Sequence, residues 1–443
     1  MMAIKGSGPL QEGMRQTGQA ENEVVVEGCI HRIREMGKVT FVVIRTSRAL
    51  VQCVLDDGGY QVKGLKEGRS LTEGDCIRIT GEKKEELRAE GGFEVHGKSI
   101  EILSTAHALS PVSLSKHKMG ATLEVMLDNR PIALRHPQQR AIFKLQEGII
   151  SAYRHYLASH GFTEIHSPKT TSAGAEGGAN IFKMDYFGQP ACLAQSPQIY
   201  KQMMVGVFGR VFEVGPVFRA EKHNTTRHLN EYISMDFEMG YIQGMEDIMD
   251  TEIALLRHIL AFLKEHYSYE LALLKAELPV VGEVPVLKFK EAKELLAREY
   301  GRKVGGNGDL DPEEEVLLCQ YAKEKLGSEF IFITHFPSSR RPFYAMDDPK
   351  DLGFAFSFDL LFRGLEITTG GQRIHDYQQQ VEKMQDMGLD PSEFEHYLSI
   401  HKHGMPPHGG LGLGLERLEM QLLGLSNVRH TSLFPRDVKR ITP

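Results

Sequence analysis

Between two apolar runs, residues 219–231 read RAEKHNTTRHLNE. Arg219, Glu221, Lys222, His223, Arg227, His228 and Glu231 put more charge on this loop than an ordinary hairpin turn can use. Guanidinium groups grip phosphate and carboxylate oxygens through a planar fork of donors, so the loop reads as a phosphate site. Elsewhere, Gln198 and Lys201 stand three apart in QSPQIYKQMM and share one face of a helical turn. A lysine in a closed pocket supplies the charge that a substrate carboxylate needs. In GLEITTGGQR, Glu366 and Thr369 offer oxygens suited to Mg²⁺. Arg373 offers a fork for a carboxylate, and Gly370 and Gly371 admit a ligand close to backbone. Glu176 sits among small residues in TSAGAEGGANI, a loop able to close over a ligand. The run GGLGLGLER lacks a Walker ending and alone is a weak phosphate signal. Taken singly, each has a plainer reading: a surface ion pair, a surface lysine, a strand end with a turn.

Regular elements must position these groups. Residues 211–219 form an apolar, buried strand, and residues 231–239 alternate. Ile233, Met235, Phe237 and Met239 face a core, while Tyr232, Ser234, Asp236 and Glu238 face the other way. Residues 354–367 begin as a half-buried strand, and a Gly-rich entry leads into a helix with Leu415, Leu418 and Leu422 inward. Pro137 opens a helix to about residue 160 whose stripe is Ile142, Leu145, Ile149, Tyr153 and Tyr156. A short strand at 162–166 and Pro168 follow. Helices are expected at 245–267 and 312–326 and a strand at 329–334; residues 275–345 carry no assigned chemistry. Nearer the N-terminus, five β runs (24–26, 38–45, 50–55, 75–80, 93–103) separated by Gly- and Asp-rich turns suggest a five-stranded OB-fold barrel. Phe41 and Gln52 fall on its central strands and Glu101 on its last. The domains are then a flexible lead-in at 1–21, a barrel at 22–104, a Ser-rich linker at 105–122 and a larger α+β domain at 123–443.

The 443 residues are 41% hydrophobic and 25% charged, ordinary globular composition. No apolar run reaches the ~20 residues of a membrane span. Cys29, Cys53, Cys76, Cys192 and Cys319 are odd in number and never spaced CxxC, which fits a reducing cytoplasm. The net charge of −7 does not advertise a nucleic-acid partner, though a local basic face would serve.

Phe218-Arg219-Ala220-Glu221 followed by Arg227-His228-Leu229-Asn230-Glu231 resembles the second signature motif of class II aminoacyl-tRNA synthetases, in the wording of short, archaeal-type aspartyl enzymes. The resemblance runs from about residue 22 to the C-terminus. The helix–strand–Pro arrangement at 137–168 is similar to the first motif, which forms the dimer interface. GGLGLGLER is similar to the third. The resemblance implies an OB-fold that reads the anticodon, joined to a catalytic domain with an antiparallel sheet flanked by helices. It implies ATP, Mg²⁺, L-aspartate and tRNA(Asp) as ligands. It assigns Arg219 to the α-phosphate and the substrate carboxylate, Glu221 and Tyr232 to adenine, and Arg227, His228 and Arg417 to the outer phosphates. Ala220, Leu229, Gly414, Leu415 and Glu416 complete the ATP site. Glu366 and Thr369 hold the metal, and Arg219, Glu366 and Arg417 are the catalytic group. Gln198, Ile199, Tyr200, Lys201, Thr369 and Arg373 hold aspartate, and Glu176 its amino group. Tyr232 stands where the family usually has Phe, and Thr369 where relatives often have Ser. On the barrel, Phe41 stacks on a base while Gln52 and Glu101 read base edges. His31 and Glu90 occupy positions that separate enzymes strict for tRNA(Asp) from relaxed ones. His31 matches the relaxed form, which would also charge tRNA(Asn) and feed a tRNA-dependent amidotransferase. The rivals are an asparaginyl enzyme, a paralogue making free asparagine, and an RNA-binding regulator. Lys201, the barrel, and Arg219 with Glu366 and Arg417 argue against them in turn.

Overall fold

The computed structural model describes residues 14–16, 22–47, 49–89, 91–172, 180–303 and 308–443. Two compact units result, one ending at Arg140 and the other running from Ala141 to Pro443. The division falls later than residue 123. Val112 of the Ser-rich stretch is buried with Met126 and Ala133 of two short helices, Leu123–Asp128 and Arg130–Ala133.

In the first unit, strands Glu23–Met36, Val39–Arg45, Leu50–Asp56, Cys76–Glu85 and Phe93–Ser104 close into a barrel. All its ladders are antiparallel except the parallel contact between Leu50–Asp56 and Phe93–Ser104. Val26, Val42, Val51, Ile79 and Val95 fill the interior. The first strand runs far past the apolar run at 24–26 because Arg32, Arg34 and Glu35 face water and mask its pattern. Met14–Gln16, inside the stretch expected as a lead-in, pairs with Val24–Val26. Another short strand, Gln61–Lys63, pairs with Ser99–Glu101.

The second unit is built on an eight-stranded sheet. Its order is Val286–Lys288, Phe330–Thr334, Ser357–Phe362, Leu365–Arg373, His408–Gly414, Glu231–Gly240, Arg210–Phe218 and Thr163–Glu164. The inner six strands are antiparallel, and the outermost pair at each edge is parallel. Helices Pro137–Ser159 and Glu246–His266 share one core with Phe237, Phe332, Phe358 and Leu413. Helices Phe289–Tyr300 and Pro312–Leu326 pack with Ile331, Ile333 and Leu361, which alternate with those residues along their strands.

Two expectations need correction. Residues 354–367 are not one half-buried strand. Arg363 and Gly364 adopt left-handed backbone and turn the chain, and Ser357–Phe362 is buried at every position. The Gly-rich run is not a loop but the strand His408–Gly414. Glycine is needed there because a Cβ on Gly410 would collide with the Phe237 carbonyl and the Glu238 carboxylate.

Glu252, on the helix beneath the sheet, is fully buried beside Thr368, and burial pushes its pKa from 4.5 up to about 8. The folded form holds this proton more tightly than the unfolded chain does. Its contribution to stability is therefore complete below pH 4.5 and lost as pH rises through about 8. Urea melts should show Glu252→Gln gaining on the parent by about 1.4 kcal/mol per pH unit across that window. A constant gap between pH 5 and 7.5 would mean that Glu252 is ionised in the folded protein.

Candidate active site

The strands Arg210–Phe218 and Glu231–Gly240 form the hairpin expected around the polar loop. Asn230 shapes that loop: its side-chain amide donates to the carbonyls of Arg219 (2.7 Å) and Glu221 (2.9 Å). Arg429 pins the far side through Thr225 O (2.9 Å) and Asn224 Oδ1 (2.6 Å). The open sheet face beyond holds a cavity of about 670 Å³, within the range of small-molecule sites.

At one end lies a dense charge cluster. Lys201 is 1% exposed, and its Nζ donates to Asp236 Oδ2 (2.8 Å) and Leu411 O (2.8 Å), with Glu238 Oε2 at 3.2 Å. Arg373 Nε donates to Glu238 Oε1 at 2.9 Å, and its Nη2 to Gly410 O and, at 3.4 Å, to Gln198 Oε1. Burial alone would raise the Glu238 pKa, but Arg373 and Lys201 prevail and hold it below the usual value.

The orientation of Gln198 is set from behind. His408 Nδ1 lies 3.0 Å from the Pro406 carbonyl, which can only accept, so Nδ1 carries the proton. Burial lowers the His408 pKa to about 3, leaving Nε2 an acceptor for the Gln202 amide at 3.1 Å. The same amide donates to Tyr397 Oη (3.2 Å). Tyr397 then donates to Gln380 Oε1, and Gln380 to Phe343 O. With both Gln202 N–H groups committed, its oxygen accepts from Gln198 Nε2 at 3.0 Å. Gln198 is left presenting its carbonyl toward Arg373.

At the other end, Thr369 Oγ1 donates to Glu366 Oε1 (2.9 Å), and Arg417 Nη1 to the Glu366 carbonyl (3.1 Å). Burial opposes ionisation of Glu366. Arg417, Thr369, Arg341 and Arg227 outweigh it and hold the pKa low. Asp359, on the neighbouring strand, accepts from Arg341 at 3.0 Å. Burial, with Glu366 adding to it, pushes Asp359 up to about 7, and its Oδ1 is buried with no hydrogen-bond partner. Two carboxylates and a hydroxyl, one oxygen unsatisfied, fit a hard divalent cation that also binds ligand phosphates. Arg227 is not simply open to phosphate: its Nη2 lies 2.5 and 2.6 Å from the Glu315 oxygens. Burial first, then Arg417, lowers the His228 pKa, so a neutral imidazole meets the ligand.

Of the residues expected here, Gln198, Lys201, Arg219, Glu221, Arg227, His228, Leu229, Tyr232, Glu366, Thr369, Arg373, Gly414, Glu416 and Arg417 all line the one cavity. Four do not. Leu415 is in the core under the sheet, Ile199 packs beside Phe343 and Tyr397, and Tyr200 and Ala220 lie off the wall. The helix Gln198–Phe208 turns only Gln198 and Lys201 of its first turn to the ligand. Glu416 contributes structure as well: both its oxygens lie 3.1 Å from the Ile233 amide, tying the last helix to the hairpin. Glu176 and Glu90 lie outside the described residues. Sequence reasoning missed Gln202, Glu315, Arg341, Asp359 and His408; Asp359 alone carried a signal, as an acid within the apolar run FSFDLLF.

On the barrel, Phe41 and Gln52 share the outer face. Arg34 joins them, 5.9 Å from the Phe41 ring and 3.4 Å from Gln52 Oε1, and Gln52 also donates to Glu94. Glu101 belongs to a separate ladder with Arg78 and Glu27. His31 is not an exposed barrel residue: the ladder slips between Ile30 and Arg32, and His31 at the bulge lies among Arg45, His136, Arg140 and Arg32. His31 is 7% exposed and sits 3.3 Å from Arg45 Nη1; burial lowers its pKa to about 4.

Residues 122–438 match the class II tRNA synthetases (D, K and N), and residues 24–103 match the OB-fold nucleic acid binding domain. The chain belongs to this class II synthetase family. It is 45% identical to the aspartate--tRNA(Asp/Asn) ligase of Deinococcus radiodurans, covering 97% of this chain and 98% of that one. It is 39% identical to the aspartate--tRNA(Asp) ligase of Pyrococcus abyssi, covering 95% and 96%. The asparaginyl-tRNA synthetase of Pyrococcus horikoshii, solved with asparaginyl-adenylate, superposes with a TM-score of 0.87 at 30% identity, covering 95% and 96%.

Proposed function

We propose that this chain uses ATP to attach L-aspartate to tRNA(Asp) and also to tRNA(Asn). The observation that carries the amino-acid choice is the convergence of two cations on one end of the cavity. Lys201 lies there beside Asp236 and Glu238, and Arg373 beside Glu238 and Gln198. Aspartate brings a side-chain carboxylate that both cations can hold. Asparagine carries none and would leave a cation underpaired in a closed site.

In this reading Lys201 and Arg373 take the side-chain carboxylate, and the Gln198 carbonyl and Asp236 suit the ammonium group. Arg219 draws the α-carboxylate against the α-phosphorus. Attack there breaks the bond to pyrophosphate and gives aspartyl-adenylate; the terminal ribose of tRNA then takes the aspartyl group. Phosphoryl chemistry of this kind is mostly positioning and charge stabilisation, and it needs no side-chain nucleophile. Tyr232 offers a ring to adenine, Glu221 accepts from its amino group, and Arg417 and His228 hold the outer phosphates. Arg227 must exchange Glu315 for phosphate to join them. Mg²⁺, held by Glu366 and Thr369 with Asp359 beside them, would neutralise charge on the phosphates.

Charging of tRNA(Asn) is supported by the Deinococcus relative being more similar than the Pyrococcus one. It is not supported by His31, which is buried. The enzyme would act as a cytoplasmic homodimer through the Pro137–Ser159 region and supply Asp-tRNA(Asn) to an amidotransferase. No described helix is long and apolar enough to cross a membrane.

Pyrophosphate exchange should proceed with aspartate and not with asparagine, and equal exchange would make this an asparaginyl enzyme or a mixed one. Purified tRNA(Asp) and tRNA(Asn) transcripts should be charged at rates within ~100-fold, less than a few kcal/mol of base discrimination. A larger preference for tRNA(Asp) would restrict the function to that tRNA.

A further inference from the structure

Away from the adenylate cavity, the barrel brings two cysteines together. Cys29 and Cys76 stand directly opposite in an antiparallel ladder, their sulfurs 2.7 Å apart. The Ile30 amide donates to the Asp75 carbonyl at 2.8 Å, so hydrogen bonds flank the pair rather than join it. In such pairs the Cα atoms approach to about 4.5 Å and the side chains lie close, at the near end of the span a disulfide bridges. Both thiols are partly exposed, whereas Cys53, Cys192 and Cys319 are buried.

Their surroundings are cationic. The Arg45 guanidinium, 6% exposed, hydrogen-bonds Cys29, and Arg45 and Arg135 both act on Cys76. Guanidinium groups beside a thiol favour thiolate, the form that attacks a disulfide. Burial and the contact with Cys29 push Cys76 up to about 11; Cys29 is the sulfur beside the Arg45 guanidinium and by that position is the one placed to attack.

We propose that Cys29 and Cys76 are a redox modification site, closing into a cross-strand disulfide when the enzyme meets a low-molecular-weight disulfide. Cys29 gives up its proton, and its sulfur attacks one sulfur of that disulfide, breaks its S–S bond and expels one thiolate. The resulting mixed disulfide on Cys29 is attacked by Cys76, which gives up its proton and expels the second. The protein loses two hydrogens and two electrons, and the oxidant leaves as two thiols. The site has a consequence for the barrel. Glu27 and Arg78, each two residues away on the same face, form an ion pair that continues to Glu101. Fixing the strands at Cys29 and Cys76 fixes that ladder. This last step rests on the barrel's reading as the anticodon-binding domain.

The test uses the full-length enzyme and oxidised glutathione. After alkylation and digestion, mass spectrometry should find the Cys29 and Cys76 peptides joined, released by dithiothreitol, with the other three cysteines still thiols. Cys76→Ser should trap glutathione on Cys29, and Cys29→Ser should leave Cys76 unmodified. Before oxidation, both variants should match the parent in tRNA charging as well as in aspartate-dependent pyrophosphate exchange, which reports that the barrel and the second unit are folded. Oxidised parent enzyme should charge tRNA several-fold more slowly at unchanged exchange, and neither serine variant should show this. Recovery of Cys29 and Cys76 as alkylated thiols, or failure of Cys76→Ser to trap glutathione, would overturn the site. A linked enzyme that charges tRNA at the parent rate would overturn its control of the barrel. Absence of aspartate-dependent exchange before oxidation would count against the proposed function alone.

Discussion

Replacing Arg219 with alanine is expected to lower aspartate-dependent pyrophosphate exchange by at least ~100-fold, the scale of losing one preorganised donor at a developing charge. The backbone around Arg219 is held from both sides. Its amide donates to the Asn230 carbonyl at 2.9 Å, and its own carbonyl accepts from the Asn230 side chain. The side chain lines the same cavity as Lys201, Arg373, Glu366 and Arg417. That is where an α-carboxylate and an α-phosphate must meet. Because Arg219 lies in the second unit, tRNA binding through the barrel should be little changed. Exchange assays and filter binding on the same preparation decide the matter. If tRNA affinity falls and exchange survives, the adenylate site has been misplaced.

Lys201→Met is expected to abolish exchange and also to cost about 3–5 kcal/mol of stability, the usual penalty for orphaning a buried ion pair. Among the described residues, Lys201 is the cation paired with the Asp236 carboxylate, whereas Glu238 keeps Arg373. The two effects can be separated. Adding Asp236→Asn removes the stranded charge, so the double variant should regain most of the lost stability in urea melts. Exchange should stay absent, because the aspartate side chain still lacks one of its two cations. A double variant that recovers exchange would show Lys201 to be a structural ion-pair member with no part in binding aspartate.

Much of the site was legible because its residues are concentrated on short stretches with strong periodicity. The alternation of 231–239 placed Asp236 and Glu238 opposite Met235 and Phe237, and the structure keeps that division. The polar loop, Gln198 with Lys201, and Glu366 to Arg373 also reach one cavity. What failed did so for local reasons. A one-residue slip of register left His31 buried, and alternation cannot reveal a bulge. The Gly-rich run looked like a loop because its glycines answer to neighbouring strands, not to a turn.

The sequence by itself determined the two domains, the hairpin and the kinds of group available: forks for anions, oxygens for a cation, a lysine for a carboxylate. Residue type and period are properties of the chain, and they survive without coordinates. Only the tertiary structure decided which groups are partnered and which way they point. The polarity of Gln198 depends on a hydrogen-bond chain through Gln202, His408, Tyr397 and Gln380, spread along the sequence from Gln198 to His408 and ending on carbonyls that can only accept. The pairing of Arg227 with Glu315, of Asp359 with Arg341, and of Cys29 with Cys76 likewise joins distant segments. Hydrogen bonds and charges act over a few ångströms of space, and no local pattern records which distant residue folding will bring that close.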